Sequence, residues 1–126
     1  MFNNKKILIT GGTGSFGKSF VERLLKKYKK ISKLIIFSRD EFKQYEMQQV
    51  FSQKKFKFLR YFIGDVRDKD RLDFAFKDVD YVIHAAALKQ VNTAEYNPFE
   101  FIHTNIIGAK NVIESAINRD VKKVLA

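Results

Sequence analysis

Apolar and polar positions along this chain follow two periods that take turns. Short unbroken apolar runs recur, and between them apolar residues return every three or four positions. The first run, Ile7-Leu8-Ile9, predicts a strand at about 6–10. A helix at about 15–30 follows, with Phe16, Phe20, Leu24 and Tyr28 at helical spacing on one face. Leu34-Ile35-Ile36-Phe37 is continuous, as a strand buried on both faces should be. The pattern then predicts a helix near 40–52 with Phe42, Tyr45 and Gln49 on one side, a strand at about 58–63, a short helix at about 69–76 and a strand at about 81–85. Asn97 as cap and Pro98 at the first helical position open a long helix near 97–119. Its apolar stripe is Ile102, Ile106, Ala109, Ile113, Ala116 and Ile117, and Val121 to Ala126 begin a fifth strand.

Repeated strand–helix units without repeats or low-complexity linkers predict the α/β class. The expected architecture is a Rossmann-like doubly wound parallel sheet, one nucleotide-binding domain over residues 1–126, truncated after the start of its fifth strand. A last strand without its helix would leave apolar surface for further chain or a partner copy to cover.

Between the first strand and helix stands Thr10-Gly11-Gly12-Thr13-Gly14-Ser15-Phe16-Gly17. A strand stopping at glycines where a helix begins is the place where a diphosphate sits, its charge favoured by bare amides and the helix dipole. The glycines parse in three ways. Gly12-x-Gly14-x-x-Gly17 fits the dinucleotide fingerprint, and Gly11-x-x-Gly14-x-x-Gly17 is the short-chain dehydrogenase spacing. Gly12-x-x-x-x-Gly17-Lys18-Ser19 satisfies the triphosphate loop, with Lys18 on the β- and γ-phosphates and Ser19 on magnesium. Against the third stands the lack of a good strand-borne magnesium aspartate, since Tyr61-Phe62-Ile63-Gly64-Asp65 is interrupted by glycine.

Composition narrows the partners. The chain has 126 residues, enough for one core, and no cysteine, so disulfides and thiolate chemistry are excluded. The start is too short in apolar residues for a signal peptide or membrane span, and a soluble cytoplasmic protein is expected. A formal charge of +10 invites a nucleic-acid reading. The lysines instead pair at element ends, as Lys26-Lys27 and Lys122-Lys123, without interleaved aromatics, so neither nucleic acid nor membrane is expected as a partner.

Three further strand ends carry candidate chemistry. Ser38-Arg39-Asp40 ends the second strand; Arg39 can grip a phosphate through two bonds and the Ser38 hydroxyl can donate beside it, which favours NADP. Ser38 with Glu41 also reads as a capping box. At Gly64-Asp65-Val66 a carboxylate can accept from an adenine amino group while Val66 packs on the ring, or Asp65 or Asp68 simply caps the short helix. His84-Ala85-Ala86-Ala87-Leu88-Lys89 ends the fourth strand, where small residues let a cofactor approach and Lys89 would face its nicotinamide side. His84 reads as a packed, hydrogen-bonded strand residue, and no metal-ligand spacing joins it to His103.

The glycine segment, Ser38-Arg39-Asp40-Glu41, the stretch from Tyr61 to Asp68, His84-Ala85-Ala86-Ala87-Leu88-Lys89, Ala94-Glu95-Tyr96-Asn97-Pro98, Thr104-Asn105-Ile106 and Gly108-Ala109 together carry a resemblance. The whole chain resembles the N-terminal part of the extended short-chain dehydrogenase/reductase family, within it the soluble UDP-N-acetylglucosamine 4,6-dehydratases of polysaccharide and flagellin-glycan synthesis. The resemblance implies an NADP-dependent lyase acting on UDP-N-acetylglucosamine, a homo-oligomer when complete. It implies cofactor contacts at Gly11, Thr13, Gly14, Ser15, Phe16, Gly17, Ser38, Arg39, Asp40, Glu41, Phe42, Lys43, Asp65, Val66, Ala86 and Lys89. Lys89 would also touch the sugar nucleotide, and Asn105 would brace the site. Gln90, Asn92 and Thr93 depart from the usual His, Pro and Ile. The family's tyrosine carries a lysine four residues on; here that position from Tyr28, Tyr45, Tyr61, Tyr81 and Tyr96 is Ser32, Gln49, Asp65, Ala85 and Glu100. The resemblance places the family's Asp-Lys pair and its Tyr-x-x-x-Lys downstream of Ala126. No catalytic residue is therefore expected in this chain, and the 126 residues alone are expected to turn over nothing.

Overall fold

The computed structural model describes residues 2–85 and 98–125, the stretch 98–104 by its backbone alone. The elements run β1 (Lys6–Thr10), α1 (Ser15–Lys27), β2 (Lys33–Ser38), α2 (Glu41–Val50), β3 (Leu59–Ile63), α3 (Lys69–Ala75), β4 (Tyr81–His84), α4 (Pro98–Asn118) and β5 (Lys123–Leu125). The strands form one sheet in the order β3-β2-β1-β4-β5, every pair parallel. That order reverses direction at β1, so the crevice between β1 and β4 lies where the chain first changes sides. The predicted doubly wound sheet is what forms. Its fifth strand is shorter than the stretch from Val121 to Ala126: Val121 N still donates to Ala116 O at the end of α4, and Ala126 lies outside the described residues.

Alternate residues of each central strand feed different layers. Ile7, Ile9, Leu34 and Ile36 join Val21, Leu24 and Met47 in one core, under α1 and α2. Leu8, Ile35, Phe37 and Val82 join Leu72, Phe76, Val112 and Ala116 in the other, under α3 and α4. A strand apolar at every position is thus required, because both its faces are covered. At about 25 cal/mol per Å² of buried apolar area, each such side chain contributes roughly 1.5–3 kcal/mol.

The helix faces correct the sequence reading. In α1 the buried residues are Gly17, Val21, Leu24 and Leu25, while Phe16 is half exposed and stacks on Phe20. Tyr28 lies beyond the helix in extended backbone, its ring edge-on to Phe2 at 5.2 Å. In α2 the inner residues are Gln44 and Met47; Phe42 and Tyr45 face outward. In α4 the inner residues include Gly108, Asn111, Val112, Ser115 and Ala116, and Ile106, Ile113 and Ile117 are exposed. In α2 and α4, Gln44, Gly108 and Asn111 face inward beside Met47 and Val112, because there the helix meets its neighbour closely or hydrogen-bonds to its backbone. Phe42, Tyr45, Ile106, Ile113 and Ile117 are turned aside. A Cβ on Gly108 would stand 2.8 Å from Val66 Cγ2.

Candidate functional site

The glycines between β1 and α1 do separate jobs. Gly11 has φ of 66°, the left-handed region that favours glycine, and its amide donates to Phe37 O. Gly17 closes the turn: a Cβ there would meet Gly12 Cα at 2.5 Å and Gly11 O at 2.6 Å. Gly14 is the N-cap of α1 and brings no side-chain cap, and the first turn holds no acidic residue. The amides of Ser15, Phe16 and Gly17, the orphan donors of a helix start, meet no acceptor among the described residues. Beside them Thr13 is 1% exposed, and its buried Oγ1 has no partner among the described residues. Unsatisfied donors next to a buried orphan hydroxyl fit an anion with several oxygens.

The triphosphate parsing fares differently. Such a loop needs its amides free up to the lysine, with Lys and Ser opening the helix. Here α1 begins at Ser15, so Lys18 and Ser19 come after a full turn, both exposed. Half of the required loop is helix.

At the tip of β2 the capping box read from Ser38 and Glu41 is not what opens α2. Asp40 is the N-cap and accepts from Lys43 N at 3.0 Å. Glu41, Phe42 and Lys43 form the exposed first turn. Ser38 is buried, its hydroxyl 3.0 Å from Gln44 Nε2. Arg39 is half exposed, with Nη1 3.9 Å from Asp65 Oδ2.

Beyond β3, Asp68 and not Asp65 caps α3, accepting from Arg71 N at 3.2 Å. Asp65 is gripped by Arg67, whose Nε donates to both carboxylate oxygens at 3.1 Å and whose Nη2 donates to Oδ2 at 2.7 Å. The hydrogen bonds from Arg67 hold the Asp65 carboxyl below the usual carboxylate range, against the opposing effect of burial. Val66 is half buried under Gly108, and Asn111 Nδ2 donates to the carbonyls of Val66 and Arg67 at 3.0 and 3.1 Å. Thus Arg39 and Asp65 are brought together, and α4 clamps the segment that follows β3.

His84 is buried in β4 opposite Thr10, with Nδ1 2.7 Å from Thr10 Oγ1, and burial lowers its pKa. It is the packed, hydrogen-bonded residue expected. Asn105 is half buried on α4. Ala86 and Lys89, with the departures at Gln90, Asn92 and Thr93, lie outside the described residues. So does Ala126, the residue beyond which the catalytic groups are expected. The sequence reading missed Gln44 and Asn111. Neither lies on the apolar face that the spacing predicts for its helix, so no local signal marked them.

No helix among the described residues is long and apolar enough to cross a membrane. Among them, too, no group of acidic, histidine or cysteine side chains could hold a metal ion.

Comparison with known proteins agrees with this geometry. The chain is 60% identical over 126 residues to an inverting UDP-N-acetylglucosamine 4,6-dehydratase of Campylobacter jejuni, covering all of this chain and 36% of the relative. It is 53% identical over 127 residues to a UDP-glucose 4-epimerase of Rickettsia bellii, covering 99% of this chain and 36% of that protein. Among solved structures, a double mutant of the dTDP-glucose 4,6-dehydratase DesIV from Streptomyces venezuelae, with NAD bound, superposes with a TM-score of 0.80 at 27% identity, over 94% of this chain and 38% of the other. The chain therefore spans about a third of the length of the curated relatives it matches. The family described as "polysaccharide biosynthesis protein" matches residues 7–126, and this chain, with its Rossmann-like sheet, belongs to it.

Proposed function

We propose that this chain holds NADP as the cofactor-binding part of a UDP-N-acetylglucosamine 4,6-dehydratase serving surface polysaccharide or flagellin-glycan synthesis. What carries the cofactor reading is the start of α1, where three amides without acceptors and the orphan Thr13 hydroxyl border a turn that admits no side chain at Gly17. When bound, the dinucleotide would supply the hydride-accepting and hydride-donating chemistry that the sugar needs.

The chain's own residues then divide the ligand. Gly11, Gly14 and Gly17 shape the turn, and Ser15 and Phe16 offer amides to the diphosphate. Arg39 and Ser38 take the 2′-phosphate, flanked by Asp40, Glu41, Phe42 and Lys43. NADP is favoured over NAD because a cation and a hydroxyl stand at that tip, while Asp40 turns one carboxylate oxygen back onto Lys43 N. Asp65 keeps its charge beside Arg67 and Arg39 and so can accept from an adenine amino group, with Val66 against the ring. Asn105 braces the site, and Ala86 and Lys89 contact the nicotinamide side and the sugar nucleotide by family resemblance. The sequence has no tyrosine followed four residues later by lysine, so the catalytic Asp-Lys and Tyr-x-x-x-Lys belong beyond Ala126 and the chain alone performs no turnover. The complete protein is a homo-oligomer of the cytoplasm, with neither nucleic acid nor membrane as partner.

Titration of the purified chain tests this. NADPH binds and ATP with magnesium does not. ATP binding that is lost in Lys18→Ala, with no NADPH binding, overturns the reading, and conversion of UDP-N-acetylglucosamine by the 126 residues alone refutes the inactivity. A second reading, a sugar-nucleotide 4-epimerase, is supported by the identity to the Rickettsia bellii protein. Product analysis of the protein that carries this chain separates them: loss of water marks the dehydratase, an inverted C4 without water loss the epimerase.

A further inference from the structure

We propose that Gln44 sets the cofactor preference of this site by fixing the Ser38 hydroxyl as a hydrogen-bond donor. The proposal rests on the dinucleotide reading above.

Gln44 is polar yet 2% exposed, on the face of α2 turned to the sheet. Its Nε2 lies 3.0 Å from Ser38 Oγ, 3.2 Å from Ser38 O and 3.0 Å from Phe62 O. The two carbonyls can only accept, so the amide turns its NH2 group and not its oxygen toward them, its two hydrogens shared among the three oxygens. That assignment settles the direction of the third contact. An amide nitrogen gives hydrogens and accepts none, so Ser38 Oγ is the acceptor and its own proton points elsewhere. No other partner for that proton stands among the described residues.

The tip of β2 therefore offers a hydroxyl donor beside the Arg39 cation. Asp40, the next residue, turns one carboxylate oxygen back onto Lys43 N at 3.0 Å. A dianionic phosphate has oxygens that accept and, near neutral pH, hardly a proton to give, so it matches the Ser38 hydroxyl donor and the Arg39 cation. A ribose diol would be better served by a carboxylate that accepts from it. Gln44 also ties Ser38 to β3 through Phe62 O, and Gly64 N donates to Ser38 O at 3.0 Å, so the backbone that carries the hydroxyl is fixed to α2 and to the end of β3.

The experiment is fluorescence titration of the chain with NADPH and with NADH, for the wild type, Ser38→Ala, Gln44→Met and the double variant, each checked for a folded state by thermal melting. The preference for NADPH over NADH falls about tenfold in either single variant, the size of one lost hydrogen bond to a charged group. The double variant falls no further, because Gln44 acts through Ser38. Ser38→Ala keeps both carbonyl bonds of Gln44, so it reports even if Gln44→Met does not fold. An unchanged preference in Ser38→Ala, an equal loss of both dinucleotides in Gln44→Met, or additive effects in the double variant overturns the proposal. Failure of the wild type to bind either dinucleotide instead overturns the reading of the site on which it stands.

Discussion

The starts of α1 and α3 differ in a way that separates site from scaffold. α3 opens on Asp68, whose carboxylate accepts from Arg71 N, and Asp70 adds a charge in its first turn. α1 opens on Gly14 with no cap, no acid in the first turn and a buried orphan hydroxyl beside it. A side-chain cap is worth about 1 kcal/mol, and leaving one out is a cost the fold need not bear. The omission leaves the first amides of α1 without acceptors among the described residues; on the proposed reading they serve a dinucleotide, whose diphosphate an aspartate in that place would repel.

Four changes probe this contrast, the largest effect first. Gly17→Ala drives a Cβ to within 2.5 Å of the Gly12 backbone, which no rotamer change relieves. We expect NADPH binding to fall at least a hundredfold by fluorescence titration, with a stability loss of about 1–3 kcal/mol. Gly14→Asp makes α1 resemble α3. Gly14 has φ of −73°, which any residue adopts, so the helix gains about 0.5–1 kcal/mol in urea unfolding while NADPH affinity drops about tenfold or more. A gain in affinity would break the comparison. Asp68→Ala makes α3 resemble α1: stability falls by about 1 kcal/mol, and NADPH affinity stays within about twofold.

The smallest effect is that of pH. Burial lowers the pKa of His84, so the folded state disfavours its charged form. Its contribution to stability is complete above the ordinary value of 6.5 and is lost as pH falls toward the folded pKa. The melting temperature should decline as pH falls below about 6.5, and His84→Asn should flatten that decline. An imidazole resonance of His84 titrating at or above 6.5 would contradict this.

The elements and their order were legible because apolar runs and helical spacing are local properties. Ile7 to Ile9 and Leu34 to Phe37 announce strands covered on both sides, and the sheet buries both sets. The glycine segment was legible because close backbone approach leaves almost no alternative to glycine, as the contact at Gly17 shows. Helix orientation was not legible. In α2 and α4 the large apolar residues suggest one inner face, but Gln44, Gly108 and Asn111 show that another is turned inward. Periodicity counts hydrophobic bulk and is blind to how close the neighbouring backbone will come.

Alone, then, the sequence determined the class of fold, the order of its elements and the glycine turn between the first strand and the first helix. Only the tertiary structure decided which carboxylate caps a helix and which pairs with arginines. Asp40 and Asp68 turn back onto their helices, while Asp65 meets Arg67 and Arg39. It also decided that Ser38 answers to Gln44 rather than to a helix start. The physical reason is that a polar side chain satisfies itself with whatever group packing brings within about 3 Å, and that neighbour is set by strand register and helix rotation, which no local pattern encodes.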